Sequence, residues 1–386
     1  MQTLTALIRS FLYLGLTSFG GPVVHIARFE QTFVRQLGWL TPAQFQQLVA
    51  QAHLLPGPSS SQVGFAIGVH RAGIAGGITA FIAFTLPSAL LMLLAAWQLS
   101  HLSGTGVQLL IHGLKLFAAV VVTDAVIAMA RNFCRTGSGV LFAVLAAVLV
   151  FISLPIGLVI VLVMVMALLN NRIRGKGNNP VSRSENSVRP ALPAAAFGWL
   201  LCWAALMAAA LYWQDSLWGG FYTAGSSVFG GGHVVLPILQ QTFASQLQPE
   251  TLLTSYAAAQ AVPGPLFTIA AFLRAQLSAA APLTGALLAT LAIFLPGFLL
   301  MLALMPLWQW LHTFSLVAAI TSALNAAMVG VLASAALGVL HSSVIHYSDA
   351  LLVVTGLGLM IWRRVNILLL MALMLAGVAA QRMVGF

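Results

Sequence analysis

Phe19-Gly20-Gly21-Pro22 returns about 210 residues later as Phe229-Gly230-Gly231-Gly232, and Pro56-Gly57-Pro58 returns as Pro263-Gly264-Pro265. The flanks repeat as well. Phe11 and Gly15 match Phe221 and Gly225, and Leu86-Pro87 and Met92 match Leu295-Pro296 and Met301. Glycine lets a backbone leave helical geometry, and proline interrupts a helix. A duplicated apolar unit broken at matching places in each half is the pattern of a secondary transporter.

The surroundings of these motifs exclude a soluble fold. The 386-residue chain is 60% hydrophobic and 6% charged, with a mean hydropathy of +1.00, against roughly 25% charged residues in a soluble domain. Apolar runs cover 74–99, 105–130, 139–169, 194–213, 281–307, 314–340 and 348–382, and about 20 such residues span a bilayer. The short alternating segments of a membrane β-barrel are absent. The expected fold is an all-α polytopic membrane protein of two homologous halves, with broken or re-entrant helices and about 10–13 transmembrane segments.

The net charge of +10 does not signal nucleic acid, because Arg172, Arg174, Lys176, Arg183 and Arg189 cluster in the one long polar stretch, 170–193. Such a cluster reads as a cytoplasmic loop, and its Gly, Asn, Ser and Pro content as a flexible linker. The expected organisation is a repeat over 1–169, the cytoplasmic linker over 170–193, a connecting transmembrane helix over 194–213 and a second repeat over 214–386. Cys134 and Cys202 have no metal-ligand spacing. The N-terminus, with Arg9 ahead of an apolar run, resembles a signal peptide but lacks a small-residue cleavage site, and is read as retained.

The basic residues also orient the halves. With the linker cytoplasmic, Arg71, Arg131 and Arg135 fall on the cytoplasmic side. The connecting helix then delivers the second repeat upside down. Arg363-Arg364 occupies the turn matching Pro155, whereas the turn matching Arg131 and Arg135, 341–346, holds no Lys or Arg. The basic turn changes sides between repeats, which favours an inverted repeat. Residues 5–71 and 215–278 each begin and end on one side, by two crossings or by two re-entrant dips.

Pro22 suits a first helical turn, and Ser59, Ser60 and Ser61 place hydroxyls and free N–H groups at a helix start, an arrangement that attracts anions. Broken helices persist in a membrane only where protein buries them or they line a cavity. The alternative is that Gly and Pro merely permit kinks and close packing. The second half is plainer, because Leu266 and Phe267 follow Pro265 and Thr268 is the nearest hydroxyl. Gln44, Gln47 and Gln51, then His53, follow Thr41-Pro42 at helical spacing, and Gln260 stands in the column of His53. They line a polar pathway or bond between helices. Lys115, mid-span, is either a counter-charge for an anion or paired with a carboxylate such as Asp124 or Glu30. Arg28 and Arg35 sit at a cavity mouth or snorkel. His25 and His233 are proton-linked groups or packing residues. No catalytic set, Walker motif or metal-binding spacing is present, so neither enzymatic activity nor a cofactor is expected.

Ser18-Phe19-Gly20-Gly21-Pro22 with His25, Leu55-Pro56-Gly57-Pro58 and their echoes resemble the chromate ion transporter family, in its long two-domain bacterial members. The resemblance covers essentially the whole chain apart from the linker. It implies a bacterial inner-membrane protein that exports chromate and confers chromate resistance, with sulfate as a competing substrate. It implies antiparallel halves and a role in transport for Phe19, Gly20, Gly21, Pro22, Pro56, Gly57, Pro58, Phe229, Gly230, Gly231, Gly232, Pro263, Gly264 and Pro265. The apolar run after Pro265 departs from a symmetric site. The residues alone lead to a transporter for a small anion. Export would be driven by potential or proton exchange. The alternatives are an importer of sulfate or a related oxyanion, which would need a co-transported cation, and a membrane scaffold. Protons as partners and a homo-oligomer are left open.

Overall fold

A computed structural model of the chain describes residues 2–101, 104–174, 194–213, 216–277, 281–311, 315–363 and 365–383. Most of the basic linker lies outside these. The described residues form helices and no strands. The first half contains α1 (Gln2–Thr17), α2 (Gly21–Phe29), which continues as a π-helical stretch (Glu30–Gln36), and α3 (Pro42–Leu54). α4 (Ser59–His101), α5 (Thr105–Phe133), α6 (Gly137–Phe151) and α7 (Ile156–Arg174) complete it. α8 (Ala194–Tyr212) has no counterpart.

The second half opens with α9 (Leu217–Ser227), a 3-10 turn (Gly232–Val234) and α10 (Val235–Thr242). α11 (Pro249–Ala261), a second 3-10 turn (Leu266–Thr268) and α12 (Ile269–Leu277) follow. α13 (Pro282–Leu311), α14 (Ser315–Ser343), α15 (Tyr347–Gly358) and α16 (Ile367–Met383) close the chain. α4 kinks at Ala72 and Gly73 (φ −149° and 62°), where the second half separates α12 from α13. Every other helix of the first half has its partner in order.

Five helices are long and apolar enough to cross a membrane: 59–101, 105–133, 194–212, 282–308 and 316–343. Shorter apolar helices cover 137–151, 156–170, 266–277, 347–362 and 367–383. Large apolar side chains on the outside, among them Leu141, Phe151, Leu201, Leu337 and Leu351, make a surface suited to lipid. The chain is a multi-pass membrane protein.

Helix length resolves the opening sections. α9, α10, α11 and α12 have 11, 8, 13 and 9 residues. At about 1.5 Å per residue each reaches about 12–20 Å, well short of a hydrocarbon core of about 30 Å. They are dips, and each pair turns at one of the Gly or Pro motifs.

Equivalent helices of the two halves run in opposite directions. The last turns of α4, at Trp97 and His101, share a groove with Pro282 and Leu283, which begin α13. At the other end, Met301 of α13 packs in one cluster with Ala80 and Ala83, which lie just past the kink in the part of α4 equivalent to α13. The repeat is therefore inverted. Phe65 stacks on Phe298 at 4.5 Å and Phe81 meets Phe294 at 5.1 Å, so an aromatic layer joins the halves.

The terminal hairpins are exchanged. α6 and α7 pack on α14, and α15 and α16 pack on α5. Gly330 of α14 lies directly against the Ala143 carbonyl of α6, and Ser334 Oγ donates to the Ala147 carbonyl at 3.1 Å. Each half thus completes the other, and no boundary between them is free of packing.

Candidate functional site

The two Pro-Gly-Pro turns are exchanged in the same sense. The Gly57 N–H donates to the Val228 carbonyl at 2.8 Å, and the Gly264 N–H donates to the Ser18 carbonyl at 2.9 Å. Ser18 and Val228 are equivalent residues, each directly before a Phe-Gly-Gly break. The turn of each half therefore closes the broken helix of the other. Both glycines have positive φ, 121° at Gly57 and 108° at Gly264, where side-chain-bearing residues are strained. Contacts repeat as well. A Cβ on Gly57 would lie 3.2 Å from the Gly297 Cα, and one on Gly264 would lie 2.9 Å from the Ser88 Cβ. Residues 88 and 297 are themselves equivalent, each following a matched proline.

The breaks bring helix starts together. Gly20 caps and Gly21 begins α2 (φ 105° and 78°), and Gly230 and Gly231 (φ 78° and 145°) precede the first 3-10 turn. A Cβ on Gly232 would lie 3.4 Å from Pro22 and 3.6 Å from Leu266, so three helix starts meet there. The start of α4 joins them through Ser60, whose Oγ lies 3.3 Å from His25 Nδ1. Four sets of N-terminal N–H groups and their dipoles converge on one interior region, which suits an anion.

The side chains at this crossing are unequal. His25 is buried, with Nε2 3.3 Å from the Ser18 carbonyl. A carbonyl only accepts, so Nε2 carries the proton and Nδ1 accepts from Ser60. Gln62 Nε2 donates to the carbonyls of Pro56 (3.0 Å) and Gly297 (3.2 Å). Buried atoms without a protein partner are Ser18 Oγ, Ser61 Oγ, Gln62 Oε1, Thr85 Oγ1 and both ends of Gln51. The matching second-half residues are Val228, Thr268, Ile269, Phe294 and Ala258, and Thr268 Oγ1 donates to its own Pro265 carbonyl at 2.9 Å. Burying an unpaired polar group costs about 1–3 kcal/mol, so most of the open hydrogen-bonding capacity of the crossing belongs to the first half, and the second half adds the unpaired Asn325 Oδ1 of α14 beside Gly230. His233 Nδ1 lies 2.6 Å from Tyr256 Oη and 3.2 Å from Gln260 Nε2, tying its turn to α11.

Arg28 Nη1 donates to Thr17 Oγ1 at 2.9 Å, one residue before Ser18, and has no carboxylate partner among the described residues. Arg35 is paired with Glu30 at 2.9 Å.

The glycines, prolines, serines and histidines read from the sequence thus gather at the crossing: Gly20, Gly21, Pro22, His25, Pro56, Gly57, Pro58, Ser59, Ser60, Ser61, Gly230, Gly231, Gly232, His233, Pro263, Gly264 and Pro265. Lys115 does not. Its Nζ is 2.8 Å from Glu250 Oε1, a carboxylate of the opposite half rather than Asp124 or Glu30. Glu250 opens α11, whose other end leads to Pro263, about 20 Å away along the helix. The Gln and His face also divides. Gln51 is buried, whereas Gln44, Gln47 and His53 are exposed. Gln44 caps α3, exchanging hydrogen bonds with Thr41 at 2.9 and 3.2 Å. Gln62, Thr85 and Ser88, which carry no motif in the sequence, join the crossing, as does Ser18, whose side chain stands out there only as the first residue of the Ser-Phe-Gly-Gly-Pro motif. Their signal was polarity inside apolar runs where the matching half is apolar or glycine.

Comparison with known proteins bears on what this crossing serves. Residues 5–169 and 215–380 each match the profile of the chromate transporter family. The chain belongs to the chromate transporter family. The two matched regions are the two halves described above. Relatives within reach include the chromate transport proteins of Cupriavidus metallidurans (27% identity over 77% of this chain and 73% of the relative) and Pseudomonas aeruginosa (26% over 76% and 70%). An uncharacterized transporter of Methanocaldococcus jannaschii is 25% identical over 78% of this chain and 75% of its own length. No solved structure matches this family member.

Proposed function

We propose that this chain exports chromate across a bacterial inner membrane, with the oxyanion held at the crossing of the two Pro-Gly-Pro turns, and so confers chromate resistance. The observation that carries the reading is the convergence of helix starts beside buried first-half hydroxyls and amides that have no protein partner. Aligned N–H groups stabilise a dianion. Ser18, Ser61 and Thr85 supply hydroxyl donors, Gln51 an amide, and Arg28 a cation at the mouth of the first-half dips. The anion-contacting set is Gly20, Gly21, Pro22, Pro56, Gly57, Pro58, Ser59, Ser60 and Ser61, completed across the pseudo-twofold axis by Gly230, Gly231, Gly232, Pro263, Gly264 and Pro265. His25 and His233 hold the dips in register around it.

The boundaries of this reading are two transport repeats, 1–169 and 214–386, joined by a cytoplasmic linker at 170–193 and the membrane helix at 194–213. An inside-negative potential favours the outward movement of an anion by about 2.3 kcal/mol per charge per 100 mV. Two charges supply about twice that, without any acidic ion-binding site. An importer of sulfate would have to work against the same potential. The test is flux of chromate and sulfate in sealed vesicles containing the purified protein, with a potential and a pH gradient imposed separately. Chromate movement that follows the potential and fails in Gly57→Ala is the expected result. Movement of sulfate alone, or of neither anion in folded protein, would overturn the substrate assignment.

A further inference from the structure

A chamber of about 630 Å3 with polar side chains in its wall lies where α5, α11, α15 and α16 meet. Glu250 belongs to the second-half dips, which in an inverted repeat enter from the face opposite to that of the first-half dips. His112 and Lys115, one helical turn apart on α5, line the chamber, with His346, Ser348, Gln381 and Arg382. Two polar contacts border it, a hydrogen bond between His112 Nε2 and Asp349 Oδ1 at 3.1 Å and an ion pair between Lys115 Nζ and Glu250 Oε1 at 2.8 Å. Both join the first half to the second.

The two carboxylates are held very differently. Asp349 is 1% exposed, and its other oxygen accepts from the N–H groups of Ile345 and His346, both at 3.0 Å. It caps α15 and is fixed. Glu250 is 60% exposed and has Lys115 as its one hydrogen-bonding partner among the described residues. The Lys115 side chain is 8% exposed. A buried ammonium cannot be left without a counter-charge, whereas an exposed carboxylate moves into water at little cost. An anion entering the chamber can therefore replace Glu250. It would then face Lys115, Arg382 and two imidazoles. Ser348 Oγ and Gln381 Nε2, which are buried and have no protein partner, complete the donor set. The starts of α11 and α15 add favourable dipoles.

We propose that this chamber is a second site for a small divalent oxyanion, in which Glu250 occupies Lys115 until the anion displaces it. Displacement breaks the Lys115–Glu250 ion pair that joins the halves here, so anion arrival loosens α5 from α11. The matching positions on the opposite face, Ala43 for Glu250 and Asn325 for Lys115, carry no charge, so the device exists on one face. The site stands independently of the crossing and of which oxyanion is transported.

The test is equilibrium binding of radiolabelled sulfate, and of chromate in parallel, to the full-length protein in lipid nanodiscs. Glu250→Gln removes the internal competitor and should tighten binding at this site about tenfold. Lys115→Gln should abolish the site, and Lys115→Arg should retain it. Where Lys115→Gln fails to fold, the double variant Lys115→Gln/Glu250→Gln removes both charges together and should likewise bind no anion there. Unchanged affinity in Glu250→Gln, or full stoichiometry in either folded Lys115→Gln protein, overturns the proposal. Loss of all binding in Gly57→Ala with none in Lys115→Gln overturns it too and leaves the crossing standing. The converse pattern supports the chamber and sinks the crossing.

Discussion

Replacing Gly264 by alanine should destabilise the protein by about 3 kcal/mol, in two separable parts. The first is conformational. Gly264 has φ 108°, and holding a side-chain-bearing residue there costs about 1–2 kcal/mol. The second is steric. The new methyl would lie 2.7 Å from Ser88 Oγ and 2.9 Å from Ser88 Cβ. The hydroxyl could rotate away by giving up its 2.9 Å hydrogen bond to the Thr85 carbonyl. The Cβ is fixed by the α4 backbone, so overpacking adds about 1–2 kcal/mol.

Ser88→Gly removes the steric part and leaves the conformational one. Alone it costs about 0.5–1 kcal/mol of helix propensity. The double variant should therefore be no less stable than Gly264→Ala, with a coupling of about 1–2 kcal/mol in its favour. The equivalent crossing already has glycine on both sides, Gly57 against Gly297, with its nearest backbone approach at 3.2 Å. Gly57→Ala should accordingly be milder. Thermal unfolding of purified protein in one detergent, followed by tryptophan fluorescence, measures all four proteins of the cycle. Additive losses in the double variant would refute the contact between the second Pro-Gly-Pro turn and Ser88. A neutral Gly264→Ala would refute the strained turn itself.

Other outcomes are equally specific. Ser61→Ala and Thr85→Val remove buried hydroxyls that have no protein partner, so melting temperatures should hold or rise while chromate flux falls at least about tenfold, roughly one lost hydrogen bond to a charged group. A drop in stability with normal flux would mean that these hydroxyls serve the fold. Gly225 of α9 lies directly against the Ile293 carbonyl of α13, and Gly225→Val should abolish folded protein in the membrane fraction, as judged by size-exclusion chromatography. Because α6–α7 pack on α14 and α15–α16 on α5, residues 1–174 or 194–386 expressed alone should aggregate, and the two fragments expressed together should copurify. A monodisperse single fragment would contradict the exchange of hairpins.

The features legible in the sequence are those that act on the backbone. A left-handed turn needs glycine whatever surrounds it, so the two Gly motifs and the two Pro-Gly-Pro motifs mark the crossing without knowledge of any contact. The sidedness of Arg131, Arg135 and Arg363 gave the inversion for a similarly local reason. The exchange of hairpins left no such mark. α6 is almost wholly apolar, and α14 and α16 carry scattered polar residues that gather into no polar face, so none of them announces which neighbour it meets. The partner of Lys115 was hidden because Glu250 lies 135 residues away. Gln44 shows a readable signal given too little weight. Thr41 followed three residues later by Gln is a capping box, and capping rather than a pathway is what that side chain does.

Comparing the halves separates structure from chemistry. The backbone of the crossing is duplicated: positive φ at Gly57 and Gly264, and N–H groups given to Val228 and Ser18. Such features are needed twice because each turn closes the helix break of the other half, and an inverted repeat with only one of them would leave a buried carbonyl unpaired. The unpaired side chains are not duplicated. Val228, Ala258, Ile269 and Phe294 stand where the first half has Ser18, Gln51, Gln62 and Thr85. If those polar groups served only the scaffold, the pseudo-twofold axis would demand them in both halves, or apolar residues would replace them at a gain in stability. Their retention on one side, without protein partners, is the expected mark of groups whose partner is the cargo.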